Sequence, residues 1–354
     1  MSKPIELSIL DYSPVDEDLQ PVDALAATLR LAQHVEGKGF KRFWVSEHHG
    51  APATAGNSPE ILMSRIASAT RRIRVGSGGV LLPNYSSLKL AENYQLLEAL
   101  FPGRVDLGFG RAPGADRRTS GALNDEKGKS LPYPRKVVDL LGFVTGNHAP
   151  DSDYEGMQAH PLTAGRPQPF VLGASGATAE IAAQAGLGFT FAHFINPRGD
   201  GPLAAKAYRA AFQPSDFAST PTVIATVFVA VGDTEAQANE FADAFHLWLT
   251  YAESASPFDR VPSLATTRAH RWSHEELAVR ERNRGRLIYG TAPQVAAQLR
   301  RLADDYGTHE VMINLMMPGE SARLRAIDSL SAAMCSQEPS GGGGVERESE
   351  GGRA

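Results

Sequence analysis

The tripeptide Glu47-His48-His49 follows an apolar run at residues 41–46, which predicts a buried strand. Imidazole titrates near neutral pH, so His48 is a candidate to hold a reacting group or to take a proton from a substrate. Glu47 could add negative charge or hydrogen bonds beside it. The alternative is that a histidine at a strand end has only a structural role.

A second group of residues would suit a phosphate monoester. Arg111 follows another predicted strand and brings a permanent charge and a planar set of donors. The segment 173–178, GASGAT, starts a predicted helix, so free backbone N–H groups near Gly176 join the hydroxyls of Ser175 and Thr178. The alternative interpretation is that Ser175 only caps the helix and Arg111 forms a surface ion pair.

The elements that position these residues alternate between strands and helices. Residues 74–114 alone predict strand, glycine-rich turn, helix, strand and a second glycine-rich turn, which is one βαβ unit. Strands are predicted at 5–10, 41–46, around 75, 104–109, 170–172, 189–191, 222–231 and 311–315. Eight such alternations predict a single-domain (β/α)8 TIM barrel over residues 1–335, whose sites lie at the carboxyl ends of the strands.

Three segments depart from this alternation. Residues 115–130 are polar and charged, which predicts a loop. Residues 253–285 are weakly patterned and rich in Arg and His; they are interpreted as a mobile lid, or else as an ordered peripheral excursion or a dimer contact. The tail 336–354 has too little apolar content to fold and is predicted to be disordered.

The composition excludes several classes of function. In 354 residues, 42% are hydrophobic and 21% charged, and a formal charge of -5 argues against a nucleic-acid surface. No apolar run approaches the roughly 18 residues that a membrane span requires, and the single Cys335 favours a reducing cytoplasm. Scattered Asp, Glu and His give no metal-binding motif, and the glycines form neither a P-loop nor a GxGxxG dinucleotide motif.

Five motifs together resemble the bacterial luciferase-like family of flavin-dependent monooxygenases, most closely its single-chain members from bacterial secondary metabolism. They are FWVSEHHG at 43–50, VGSGGVLLP at 75–83, AENYQLLEAL at 91–100, GRVDLGFGRAPG at 103–114 and VLGASGATAEIAA at 171–183. The similarity extends in order over residues 4 to 335. It implies the same barrel that the strand pattern predicts.

The resemblance also implies roles for individual residues. His48, rather than His49, matches the family's catalytic histidine. Arg111, Ser175 and Thr178 match the residues that hold the phosphate of FMN.

Two further positions carry roles by resemblance alone. Gly78 and Gly79 match a non-prolyl cis peptide that lies beneath the isoalloxazine ring. Glu92, on the following helix, matches an acidic residue near the site, although a helix-surface role is equally expected.

The activity implied is a monooxygenase that binds reduced FMN, traps O2 as a C4a-(hydro)peroxyflavin and inserts one oxygen atom into a small organic substrate. A separate NAD(P)H:flavin reductase would supply the reduced flavin, and a homodimer is expected through the apolar residues Ile61, Leu62 and Ile66. Gly110 stands where bacterial luciferase has a reactive cysteine, so light emission from an aldehyde is not expected. The alternatives are hydride transfer with the deazaflavin F420, or a flavin-binding subunit without turnover.

Overall fold

The strands of this chain pair in parallel around a closed circuit. The computed structural model describes residues 4–112, 117–123, 131–150, 152–254 and 256–335, with only the backbone of Arg117; the predicted tail 336–354 lies outside these residues. The described strands are β1 Glu6–Asp11, β2 Arg42–Val45, β3 Arg74–Ser77, β4 Val80–Leu81, β5 Val105–Gly110, β6 Gln168–Gly173, β7 Gly188–Ala192, β8 Val223–Gly232, β9 Leu287–Thr291 and β10 Glu310–Asn314. The order β10-β1-β2-β3-β5-β6-β7-β8 closes through a β10–β8 pairing. The predicted (β/α)8 barrel is confirmed.

Helices pack around this barrel, most of them following a barrel strand in the chain. They are α1 Pro21–Gly37, α2 Pro59–Ala69, α3 Ser87–Leu100, α4 Arg117–Leu123, α5 Tyr133–Thr145, α6 Gly176–Gln184, α7 Gly201–Ala211, α8 Glu235–Ala252, α9 Leu264–Ala269, α10 His274–Asn283, α11 Ala292–Tyr306 and α12 Glu320–Cys335. Local chemistry sets their ends: α11 starts with a Thr291–Gln294 capping box and stops at Gly307 in the left-handed region. Among the described helices, none has both the length and the apolar character to cross a bilayer.

Two strands, and a helix inside the predicted loop 115–130, differ from the predicted pattern. β4 has only two residues, too few to show the alternation of apolar and polar residues that indicates a strand. It pairs with the end of β5. β9 contains a glycine and precedes a proline, so its local preference for a strand is weak; it forms because β8, with ten residues, offers it a partner along Phe228–Gly232. The prediction of a loop over 115–130 was wrong at Arg117–Leu123, which is α4.

The segment 253–285 contains two short helices. α10 buries none of its side chains and begins at a capping box formed by Ser273 and Glu276. Ion pairs tie the segment to α8, with Arg268 bound to Glu240 and Arg280 to Asp243. Its closure over the site as a lid stays a prediction.

The predicted dimer face on α2 has to be narrowed. Ile61 is 71% exposed and Leu62 is half-buried, but Ile66 is 1% exposed and belongs to the core beneath the helix. Residues 61 and 66 are five apart, so they lie on opposite sides of a helix of 3.6 residues per turn. The homodimer stays a prediction, and of these three residues only Ile61 and Leu62 could contact a partner. A sedimentation mass equal to one chain would refute the dimer.

The amino-terminal end of the barrel is filled by charged side chains. Arg42 of β2 donates to Asp106 of β5 at 2.7 Å and to Glu310 of β10 at 2.8 Å, and all three side chains are buried. Asp106 also accepts hydrogen bonds from Trp44 Nε1 at 2.9 Å and from Arg74 Nε at 2.8 Å. This network joins strands across the barrel at the end opposite to the predicted site.

Candidate active site

The strand order brings most of the predicted site residues to one rim. His48 follows β2, Gly78-Gly79 lies between β3 and β4, Arg111 follows β5, and Ser175 follows β6. β2, β3, β5 and β6 are consecutive neighbours in the barrel. Since parallel strands end at the same edge, these residues occupy adjacent positions on half of the carboxyl-terminal rim.

His48 is held by a hydroxyl and an aromatic ring. Its Nδ1 shares a hydrogen bond of 3.0 Å with Ser46 Oγ, and its ring packs edge-on against Tyr12 with centroids 4.5 Å apart. Burial, followed by the nearby His49, lowers the pKa of His48 to about 4. At neutral pH the ring is therefore uncharged, with one nitrogen able to donate and the other to accept.

Protonation of the buried histidines predicts a loss of stability in acid. His246, on α8 and 3% exposed, also has its pKa lowered to about 4, first by burial and then by nearby arginines. An unfolded histidine binds its proton near pH 6.5, so the free energy of unfolding should fall as the pH drops from 6.5 to 4, by about 1.4 kcal/mol per pH unit for each histidine. Urea denaturation at pH 7, 6 and 5 checks this; the His246→Leu variant should show a shallower dependence, and an unchanged slope would contradict it.

Glu47 is a hub of hydrogen bonds rather than a partner of His48. Its fully buried carboxylate accepts from Leu81 N at 3.0 Å, from the Tyr85 hydroxyl at 2.9 Å and pairs with His49 Nε2 at 2.8 Å. The described contacts of Glu47 include no hydrogen bond to His48, because its carboxylate pairs with His49 instead; its part in catalysis stays a prediction. Glu47 ties the end of β2 to the backbone just after Gly78-Gly79.

Replacing Glu47 with glutamine is expected to destabilise the protein by about 1–3 kcal/mol, because an amide nitrogen would face a donor that the carboxylate now satisfies. Urea denaturation would measure the loss. The Glu155→Gln change at an exposed position is the matched control and should alter the free energy of unfolding by less than about 0.5 kcal/mol. Equal small effects in both variants would contradict the assignment of Glu47 as a hub.

The peptide bond between Gly78 and Gly79 is cis, as the resemblance predicted. Gly78 N donates to Val45 O at 2.8 Å, so the turn is anchored to the end of β2 beside Glu47. A β-carbon at position 78 would collide with Leu10 inside the barrel. The glycine therefore permits the backbone to pass close to the barrel core at the rim.

The start of α6 keeps free donors. Ser175 is the residue before the helix, but its side chain makes no capping hydrogen bond; its exposed hydroxyl lies 3.5 Å from Thr178 Oγ1. Arg111 is exposed and makes no ion pair with any residue that the structure describes. The alternative in which Ser175 only caps the helix is thus not the arrangement observed. These donors are of the kind that fits a phosphate group.

Two acidic residues bear on this anion site differently. A β-carbon at position 176 would lie 3.5 Å from Asp200 Oδ2, so a carboxylate stands near the start of α6. Glu92, predicted to contact a cofactor, is 40% exposed on α3 and lies 3.8 Å from Lys89 Nζ, one turn away on the same helix. This contact is the helix-surface role that was the alternative for Glu92, and its part in cofactor binding stays a prediction.

Comparison with known proteins decides the family. The sequence family described as luciferase-like monooxygenase matches residues 5–309. The chain belongs to this family. It is 42% identical over 330 residues to the uncharacterized protein YwcH of Bacillus subtilis (strain 168), covering 93% of this chain and 99% of that protein.

Two further relatives carry informative names. The N-acetyl-S-alkylcysteine monooxygenase of Bacillus subtilis (strain 168) is 42% identical over 207 residues, 58% of this chain and 61% of that protein. The crystal structure of apo-MsnO8 superimposes with a TM-score of 0.84 at 34% identity, covering 94% of this chain and 98% of the other. This luciferase-like monooxygenase is accordingly an oxidoreductase with the family barrel.

Sequence reasoning missed three residues around His48 and Glu47. Ser46 could have been found, since it lies two residues before His48 and alternate residues of a strand share a face. Tyr12 and Tyr85 gave no such signal, because each reaches its partner from a different strand or loop. Their place in the site follows from the closing of the barrel.

Proposed function

We propose that this luciferase-like monooxygenase binds reduced FMN and transfers one oxygen atom of O2 to a small organic substrate. A separate NAD(P)H:flavin reductase supplies the reduced flavin in this proposal. The observation that carries it is the set of donors formed by the exposed Arg111 and by the hydroxyls of Ser175 and Thr178, which bond to each other only weakly at 3.5 Å, on the same rim as an uncharged His48. That set fits a phosphate monoester and follows β5 and β6, the next two strands on one side of the Gly78-Gly79 turn.

Each part of the rim has a task in this proposal. Arg111, the two hydroxyls and the first N–H groups of α6 bind the phosphate and fix the position of the ring system. The Gly78-Gly79 turn lets the ring lie close to the backbone. His48 donates or accepts a hydrogen bond at the reacting atoms, and its low pKa keeps it uncharged there. Bound reduced flavin supplies the electrons that activate O2.

The nearest alternative is hydride transfer with the deazaflavin F420. Solved proteins that share the barrel include an oxygenating constituent of a diketocamphane monooxygenase in complex with FMN, at 16% identity, and an F420-dependent secondary alcohol dehydrogenase, at 14% identity. At these identities the likeness concerns the fold alone. The choice therefore rests on the anion site and on direct binding measurements.

The Arg111→Ala variant should weaken FMN binding by about 10- to 100-fold, since one charge-assisted contact to the phosphate is lost. Fluorescence titration of FMN measures the dissociation constant. Riboflavin, which lacks the phosphate, is the matched ligand and should bind the variant and the parent protein within about twofold. An equal loss for FMN and riboflavin would contradict a phosphate contact at Arg111.

The oxygen reaction is tested by stopped-flow absorbance. Protein with photoreduced FMN is mixed with oxygenated buffer, and a near-ultraviolet species that decays slowly to oxidised flavin would support oxygen activation. N-acetyl-S-methylcysteine is a first substrate probe, chosen because a relative is named for that class. Oxidation at the rate of free flavin, together with tighter binding of F420 than of FMN, would overturn the proposal in favour of hydride transfer.

A further inference from the structure

Tyr12 is the first residue after β1, and its side chain faces into the barrel. Ser8 bonds to Glu310 Oε1 at 2.7 Å inside the barrel, and Leu10 lies against the Gly78 backbone. Inward-facing residues alternate along a strand, so Tyr12 continues the series one layer higher, at the rim. Its ring contacts confirm this: it meets His48, which follows β2, and Phe228 of β8, with centroids 4.5 and 5.9 Å away.

The hydroxyl of Tyr12 has no partner among the described residues. The residue is 8% exposed, and no described residue forms a hydrogen bond with its hydroxyl. Its oxygen is not fully enclosed, so this donor is available at the rim to a ligand or to water. The Tyr12 ring is fixed from two sides, which leaves the hydroxyl as a preset donor next to His48.

The surroundings of Tyr12 are apolar on one side and polar on the other. Phe194 packs on Phe228 with centroids 4.8 Å apart, which extends an aromatic wall away from Tyr12. Arg286 donates to Phe194 O at 2.5 Å and pairs with Glu253. Burial raises the pKa of Tyr12, and the positive charge of Arg286 partly offsets that rise. A molecule held here would meet apolar rings and a hydroxyl donor near a guanidinium.

We propose that Tyr12 is a substrate-binding residue whose hydroxyl donates to an oxygen acceptor of the substrate, a carbonyl or a carboxylate, while Phe194 and Phe228 contact the apolar part. The assignment deepens the proposed function and rests on it, because the ligand is the molecule to be oxygenated beside His48. It identifies the substrate as an organic molecule with an apolar body and an oxygen acceptor at one end.

Calorimetric binding of three probes to the protein without flavin tests this assignment. Phenylacetate, phenylacetone and ethylbenzene share an aromatic body and differ in their acceptor. The Tyr12→Phe variant keeps the ring contacts and removes only the hydroxyl; it should raise the dissociation constant of phenylacetate or phenylacetone about 5- to 10-fold and that of ethylbenzene less than twofold. The matched control is Tyr94→Phe, which removes a hydroxyl bound to Ser77 Oγ at 2.5 Å on the other side of the barrel wall.

The outcomes separate the two kinds of acceptor. A larger effect on phenylacetate assigns a carboxylate, and a larger effect on phenylacetone assigns a carbonyl. Equal changes for all three probes, no change, or no binding of either oxygen-bearing probe would overturn the proposal and leave Tyr12 bound to water only. Because flavin is absent, this result is independent of the FMN titration: failure of FMN to bind would refute the proposed function while the Tyr12 assignment could still hold.

Discussion

Replacing His48 with glutamine is expected to lower the rate of substrate oxygenation by about 10²- to 10⁴-fold, the usual loss when a positioned acid–base group is removed. The reason is its place on the rim: an uncharged imidazole, oriented by Ser46 and by the Tyr12 ring, beside the Gly78-Gly79 turn. FMN affinity should stay within about threefold, because the phosphate donors lie on other strands. Product formed per flavin oxidised, with reduced FMN supplied, is the measurement.

The matched control for this variant is His34→Gln. His34 lies on α1 and bonds at 2.9 Å to Asp328 of α12, on the helical layer outside the barrel. Its replacement should leave oxygenation unchanged within about twofold. If His48→Gln also oxygenated substrate at the parent rate, the histidine would be structural, and the hypothesis of a flavin-binding subunit without turnover would regain support.

The Arg42→Met variant is expected to lose about 3–5 kcal/mol in its free energy of unfolding, since Asp106 and Glu310 would stay charged and buried after losing the cation that lies between them. Methionine replaces the aliphatic stem of Arg42, so the change isolates the guanidinium, which bonds to Asp106 and Glu310 in the barrel interior. Urea denaturation near neutral pH measures the loss. The effect should be on stability, because this network lies at the barrel end opposite to His48.

Arg30→Met supplies the control for Arg42. Arg30 also pairs with a carboxylate, Glu320, at 2.5 Å, but its side chain is 53% exposed. Exposed ion pairs contribute about 0–1 kcal/mol, so this variant should be nearly as stable as the parent protein. A loss at Arg42 no larger than at Arg30 would mean that water or rearrangement compensates the buried charges.

Much of the rim could be predicted because it depends on local order along the chain. Each chemically useful residue follows a strand directly, and in a parallel barrel the ends of all strands meet on one side. The sequence therefore predicts that His48, Arg111 and Ser175 lie together on this side. The cis bond at Gly78-Gly79 was predicted too, but only from the family resemblance, because no local sequence pattern predicts a cis peptide there.

What the chain order could not supply is the direction and partner of each side chain. Glu47 and His48 are neighbours in sequence, yet a strand end sends successive side chains to opposite sides, so the carboxylate meets His49, Tyr85 and Leu81 N instead. β9 likewise forms only because β8 extends past the barrel and offers an edge. Periodicity within one segment contains no information about such partners.

The sequence by itself determined the barrel, the rim that carries the chemistry and the residues that suit a phosphate, because these follow from the period of apolar residues and the ends of strands. Only the tertiary structure decided that Tyr12 faces His48, that Glu47 is a hub and that Arg42 joins Asp106 to Glu310. Each of these contacts joins strands or loops far apart in the chain. Their geometry is fixed by strand register and barrel closure, which bring together residues that no local pattern relates.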